Sequence, residues 1–238
     1  MRYKSLFVTG TDTGIGKTMV CAGIAASLHR RGLRVGVLKP AETGCAPGDG
    51  GPSPADAVRL RFFSGCGAPL DAICPYALRE PLAPLIAAER EALRIDPDRL
   101  VACHETMARA HDITLIEGAG GLLVPLTSSL TFADLAQRLD APLLVVVGSR
   151  LGAINHAMLT IRYAQRVGLR VLGYVVNFFH AVGDHAAESN VAVLGRLLGP
   201  ALGVVPYLGE VSTTEEGRRQ LAERFETRVR LDALLVSC

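Results

Sequence analysis

The chain has 238 residues, 49% hydrophobic and 20% charged, with 25 Lys and Arg against 23 Asp and Glu for a formal net charge of +2. That length accommodates one sizeable α/β core or two small ones, and the mixed, moderately apolar composition excludes a disordered chain. A charge so close to balance, with no Lys/Arg block, gives no sign of a nucleic-acid footprint.

The first strand is expected over residues 5–9. It leads into Gly10-Thr11-Asp12-Thr13-Gly14-Ile15-Gly16-Lys17-Thr18 and an Ala-rich helix over 17–31. A strand, a Gly/Thr-rich loop and Gly-Lys-Thr opening a helix is the layout of a P-loop. Small residues let backbone N–H groups curl around an anion, and the helix N-terminus adds positive potential. Lys17 would reach the β- and γ-phosphates of a nucleoside triphosphate, and the Thr18 hydroxyl would sit on magnesium. The strict pattern places Gly five residues before Gly16; here Thr11 stands there, with Gly10 one place earlier.

Further strands are expected over 34–39, 113–117, 143–148, 171–177 and 202–205, and helices over 97–110, 132–139, 154–167 and 184–198. The strand segments are continuous Val/Leu/Ile runs, as a parallel sheet buried on both faces requires. Strand alternating with helix predicts a doubly wound, mostly parallel α/β sheet, read as a single domain over 1–238. Right-handed crossovers then bring every strand C-terminus to one edge. Residues 43–54, rich in Gly and Pro, read as a flexible loop, and the Pro-rich stretch 69–84 as a long excursion of the functional kind. The tail, 221–235, is charged and weakly amphipathic.

The apolar N-terminal run is too short for a leader, and the run 141–147 is too short to span a bilayer. The six cysteines show no CxxC spacing, which argues against structural zinc and for reduced thiols in a cytoplasmic protein.

The P-loop, Lys39-Pro40 with residues 41–44, Glu117 with its glycines, and Asn177 all fall on that shared edge. Glu117 ends an apolar strand before Gly118-Ala119-Gly120-Gly121, where a carboxylate can hold magnesium opposite Thr18. Asp56 reads equally as a second magnesium ligand or as an acid at a helix start. Lys39, at a buried strand end before Pro40, would be neutralised by phosphates; otherwise it snorkels to the surface. Thr43 reads as a substrate hydrogen-bonding group or a turn residue. Gly152-Ala153-Ile154-Asn155-His156 opens a helix whose free N–H groups suit a carboxylate or phosphate, although spacing alone favours simple capping there.

Taken together, these segments resemble the dethiobiotin synthetase family. The likeness is carried by Gly10–Thr18, Lys39-Pro40 with Thr43-Gly44, Asp56, Pro75-Tyr76, Pro81, and Glu117 through Gly121 with Pro125-Leu126. It continues through Phe132-Ala133-Asp134, Leu151-Gly152 with Ile154-Asn155-His156, Val176-Asn177 and Pro206-Tyr207-Leu208. The resemblance implies a homodimeric enzyme that closes a cyclic urea from diaminopelargonic acid, carbon dioxide and ATP, with no nucleic-acid or membrane partner. It implies that Lys17 and the backbone of Gly14, Ile15, Gly16 and Thr18 hold phosphates beside Gly118, Ala119 and Gly120. Thr18, Asp56 and Glu117 would bind Mg2+, and Lys39 would be the catalytic lysine with Lys17. Thr11 and Thr43 would meet substrate, with Thr43 on the carbamate. Asn177, Pro206, Tyr207 and Leu208 would line the adenine site. Gly152, Ala153 and Asn155 would capture the substrate carboxylate across the dimer interface. The chain departs from the pattern at Gly14, where relatives often carry Glu, at Leu85, where His is common, and at Phe178, which follows Asn177 in place of a polar residue.

Two other classes compete. A partitioning or septum-positioning switch ATPase would carry a signature lysine five residues before Lys17, where Asp12 stands, and its membrane form would need a strongly amphipathic tail. A cobyrinate-type amidotransferase would need a second domain with a nucleophilic cysteine, for which 238 residues are too few.

Overall fold

The computed structural model describes residues 4–180 and 185–235. In chain order the first elements are β1 (Ser5–Gly10), α1 (Lys17–Arg30), β2 (Val35–Leu38), a hairpin of β3 (Ala46–Gly48) and β4 (Gly51–Ser53), α2 (Ala55–Ser64), α3 (Leu70–Ile73), α4 (Pro84–Arg90) and α5 (Pro97–Ala110). Then come β5 (Ile113–Glu117), a hairpin of β6 (Pro125–Thr127) and β7 (Leu130–Thr131), α6 (Phe132–Arg138), β8 (Leu143–Gly148) and α7 (Ala153–Arg166). The chain closes with β9 (Val171–Asn177), α8 (His185–Leu198), β10 (Gly203–Val205), α9 (Glu215–Arg228) and α10 (Asp232–Leu235). Asp184, expected to open α8, and Cys238 lie outside the described residues.

Six strands form one sheet in the order β10-β9-β8-β1-β5-β2, with every pairing parallel. The expected doubly wound sheet is therefore present. Both faces are covered, which is why the strands lack polar alternation. Leu6 and Val8 of β1 join the core under α1, α2 and α9, while Phe7 between them points to the other face, with Phe132 and Leu135 of α6. Val145 and Val147 of β8 pack beneath α7 and α8.

The structure adds order where the sequence suggested little. The 43–54 loop contains the β3–β4 hairpin and leads into α2. The Pro-rich excursion backs the β2 end: Lys39 N donates to Ile73 O at 2.7 Å, Glu42 N to Tyr76 O at 2.9 Å, and Leu78 N to Glu42 O at 2.8 Å. The tail forms α9, which docks on α1. Gly23 gives Phe225 its place there, since a Cβ at Gly23 would collide with the ring. Arg30 closes the same contact by pairing with Glu223 and Glu226. Phe132-Ala133-Asp134 starts α6 with a capping box: Asp134 Oδ2 accepts from Thr131 N at 2.7 Å, and Thr131 Oγ1 accepts from Asp134 N at 3.3 Å. The two bonds satisfy amides that the helix start leaves without intrahelical partners. No helix among the described residues is long and apolar enough to cross a bilayer.

Candidate active site

A parallel sheet delivers Gly10, Lys39, Glu117, Ser149 and Phe178 to one edge, because each directly follows or ends a strand running the same way. The loop after β1 is tied to its neighbour through Thr11 N, which donates to Val146 O at 3.0 Å. It ends at Gly16, whose φ of +87° is left-handed and whose missing Cβ makes room for the Asn177 amide. Asn177 Nδ2 donates to Ile15 O at 2.8 Å, so the loop is clamped from β9.

At the centre stands a buried charge cluster. Lys39 Nζ donates to Glu117 Oε1 at 2.7 Å and to Asp56 Oδ2 at 2.8 Å. Thr18 Oγ1 donates to the same Glu117 oxygen at 2.8 Å. The Lys39 and Glu117 side chains are 4% and 1% exposed, and that of Asp56 is 40% exposed. Burying an ion pair costs much of what the attraction returns, so this arrangement serves the placement of charge more than stability. Burial disfavours the Lys39 ammonium, but Glu117 and Asp56 outweigh it and hold its pKa above that of an ordinary lysine. Lys39 is a fixed cation.

Lys17 differs. Its ammonium donates to Asp12 O at 2.7 Å, and burial lowers its pKa to about 8 against the partial support of Glu117. Phosphate oxygens are the partners such a half-compensated lysine lacks.

The remaining Glu117 oxygen, Oε2, is buried with no hydrogen-bond partner. Burial pushes the Glu117 carboxyl upward, so a cation at that oxygen would relieve a real deficit. No cluster of three or more His, Cys, Asp or Glu side chains suited to a metal occurs among the described residues. Two carboxylates, a threonine hydroxyl and substrate phosphates are nevertheless the donor set that magnesium takes, since it binds few protein ligands and keeps the rest for phosphate and water. The residues present fit that ion.

These groups line a cleft of about 350 Å³ bounded by Thr13, Gly14, Gly16, Lys17, Thr18, Lys39, Glu42, Thr43, Asp56, Glu117, Ala119 and Gly120. Ten of the residues expected at the site thus meet in one space. Thr13 and Glu42 were not among the expected site residues. Glu42 lies three residues beyond Lys39, and its contacts reach across the sequence to Asp56, where no local spacing rule looks.

The other expected residues stand outside the lining. Ile15 is 1% exposed and offers the cleft only its backbone. Gly118 is buried in front of the Phe7 and Phe132 rings, and its N–H donates to Val8 O at 3.0 Å. Thr11 is half-buried, with its backbone N–H given to Val146 O of β8. Asn177 is 3% exposed and engaged with Ile15, with Pro206 and Tyr207 exposed beyond the end of β10 beside the half-buried Leu208. They share a corner, because Val205 pairs with Asn177 and Phe178 N donates to Val205 O at 2.8 Å. Gly152 and Asn155 are exposed and Ala153 is buried at the start of α7. That loop touches the P-loop through Arg150, whose guanidinium pairs with the Asp12 carboxylate. His104 lies away from the cleft, its Nε2 sharing a 2.6 Å hydrogen bond with Ser5 Oγ at the opposite sheet edge.

Comparison with known proteins adds an independent line. A family model described as an AAA domain matches residues 4–215. A protein of Anaeromyxobacter sp. (strain K), "ATP-dependent dethiobiotin synthetase BioD", is 44% identical over 194 residues, which cover 82% of this chain and 85% of its own. Proteins of the same name from Thermodesulfovibrio yellowstonii and Cellvibrio japonicus are 39% and 41% identical, covering 89% of this chain and 92% and 93% of their own. Among solved structures, the MinC:MinD cell division protein complex of Aquifex aeolicus superposes with a TM-score of 0.59 at 15% identity, covering 99% of this chain and 98% of that one. A ParA family ATPase from Chlorobium tepidum does so with 0.55 at 13% identity, covering 98% and 100%. Identities that low speak for the fold alone.

Proposed function

The chain belongs to the ATP-dependent dethiobiotin synthetase family, and on that premise we propose that it closes the cyclic urea of dethiobiotin from diaminopelargonic acid, carbon dioxide and ATP, in biotin biosynthesis. The observation that carries the reading is the convergence of Lys17, Thr18, Lys39, Asp56 and Glu117 on one cleft beside Thr43. It is a site of fixed charges and donors, suited to phosphoryl transfer, which needs positioning and neutralisation more than a covalent nucleophile.

One substrate amine adds carbon dioxide and loses a proton, giving a carbamate. A carbamate oxygen attacks the γ-phosphorus of ATP and expels ADP, giving a carbamic-phosphoric anhydride. The second amine attacks the carbamate carbon, loses a proton and expels phosphate as the ring closes. Lys17 and the amides of Gly14–Thr18 hold the phosphates. Lys39 brings a permanent positive charge to the oxygens exchanged between carbamate and γ-phosphate, and Thr43 orients the carbamate. Thr18, Asp56 and Glu117 hold magnesium, which when bound neutralises phosphate charge. Asn177 and residues 206–208 form the base-binding corner, with Asn177 acting first as a clamp on the loop.

The active unit is a homodimer in this reading. Leu151, Asn155 and Leu159 form an exposed row at the start of α7, with Leu151 80% and Leu159 62% exposed. Apolar side chains beside an exposed helix start are what a partner would cover while its substrate carboxylate docks there.

The test is phosphate release from ATP with the diamine and bicarbonate supplied together or singly, and light scattering for mass. Release that requires both, from a dimer, is the expected result. Equal release without the diamine would reassign the protein to the switch ATPases.

A further inference from the structure

Helix α2 carries Asp56 in its first turn but has no cap of its own. Pro54 stands at the N-cap and makes no side-chain hydrogen bond. A helix start leaves amide donors unpaired, and a Ser, Thr, Asp or Asn at the N-cap ordinarily accepts from the second or third of them. Here those two amides donate instead to Glu42: Asp56 N to Oε1 at 2.8 Å and Ala57 N to Oε2 at 3.0 Å. Glu42 is 7% exposed, and its own backbone is pinned on both sides by Tyr76 O and Leu78 N. One carboxylate on two amides at a helix N-terminus is a charge-assisted contact favoured by the helix dipole.

We propose that Glu42 is a positioning residue. By capping α2 from the loop after β2, it fixes the Asp56 carboxylate against Lys39 and beside Glu117, and so sets the affinity of the cleft for magnesium with nucleotide. This rests on the magnesium and ATP part of the function given above and is independent of the diamine. Pro54 makes the device necessary, because the residue that would ordinarily cap α2 has no acceptor.

The experiment is calorimetric titration of ATP with and without magnesium, alongside amide hydrogen exchange of the ligand-free protein. It compares the native chain, Glu42→Gln, and Glu42→Gln with Pro54→Ser. Glu42→Gln keeps the shape but only one acceptor. Magnesium-dependent ATP binding is expected to weaken about tenfold, as when a metal ligand loses its orienting partner. Binding without magnesium stays unchanged, and the Asp56 and Ala57 amides exchange faster. Pro54→Ser supplies a local acceptor for the same two amides, so the double variant recovers both readouts. Native magnesium dependence in Glu42→Gln overturns the proposal. So does a loss that persists in the double variant although the two amides regain protection, since Glu42 would then act on the ligand directly. If Glu42→Gln alone does not fold, the double variant decides: native-like folding and binding support the proposal, and failure to fold overturns it. A native chain that binds no magnesium–ATP would instead overturn the reading of the cleft itself.

Discussion

The Lys39 cluster and the start of α7 occupy the same edge of the sheet, yet they are built on opposite plans. Around Lys39 nearly every polar atom has a partner within the chain, drawn from β2, α2, β5 and α1. At α7 the cap is Gly152, with no side-chain hydrogen bond, and the neighbouring Leu151 and Asn155 face outward. The first region is preorganised, so little rearrangement is needed when charge shifts during reaction. The second is open on its own. In the proposed function the first region carries the chemistry and the second the substrate reach, and each can be perturbed separately.

The largest effect is expected in the cluster. Lys17→Ala and Glu117→Gln should each lower turnover by about a hundredfold or more, the scale of removing one preorganised electrostatic group. Circular dichroism should show the fold retained, because Lys39 keeps Asp56 as partner and Gln preserves the shape of Glu117. Near-native rates in folded variants would move the chemistry out of the cluster.

The second effect is a pH dependence that distinguishes the two lysines. Below about pH 8 Lys17 is already protonated in the free protein, and above it Lys17 is largely neutral. Phosphates favour the charged form, so its pKa is higher in the complex and ATP binding takes up a proton above pH 8. ATP affinity should therefore be level below pH 8. Above it, affinity should fall by up to about tenfold per unit until the pKa of the complex is reached. Stability of the ligand-free protein runs the other way. With an unfolded value of 10.5, the unfolded chain binds more protons between about 8 and 10.5, so this group's contribution rises with pH there. Lys39, held protonated, adds nothing in that window. Affinity measured by calorimetry in buffers of different ionisation heat would show the proton uptake, and its absence would mean that Lys17 is charged throughout.

The smallest effect is at α7. Asn155→Asp adds a negative charge at an exposed helix start, where such charges act through about 1 kcal/mol or less. Diamine affinity should weaken about threefold to fivefold, with ATP affinity unchanged. If the two affinities fell together, the separation of the regions would fail.

The two regions also differed in how plainly they could be read. Lys39 and Glu117 announce themselves because each sits at the end of an apolar run bounded by Pro or Gly, and Lys17 and Thr18 because they open a helix after a Gly/Thr-rich loop. Strands β5, β8 and β9 fall on their expected bounds for the same reason. Helix α2 gave no such sign, since Pro54 masks its start and its cap comes from Glu42. In α9, Glu215–Arg228, charge dominates and burial is confined to Gly217, Leu221, Ala222 and Phe225, so it read only as a tail. Asn177 was legible as a strand end, but its hold on Ile15 depends on two strands lying two apart in the sheet, which no local pattern encodes.

The central place of β1 has a consequence for biosynthesis. Ser5 pairs with Thr114, Gly10 pairs with Val146, and Thr11 leans on that same Val146 carbonyl. At about 5–20 residues per second, a ribosome makes β1 on the order of ten seconds before its last partner. Until β5 and then β8 emerge, Leu6, Phe7 and Val8 lack their two neighbours in the sheet, and the loop after β1 lacks the Val146 carbonyl that ties it down. A segment made well before its partners is thus among the last to find its place, and the loop after it gains its tie to β8 only once Val146 has emerged.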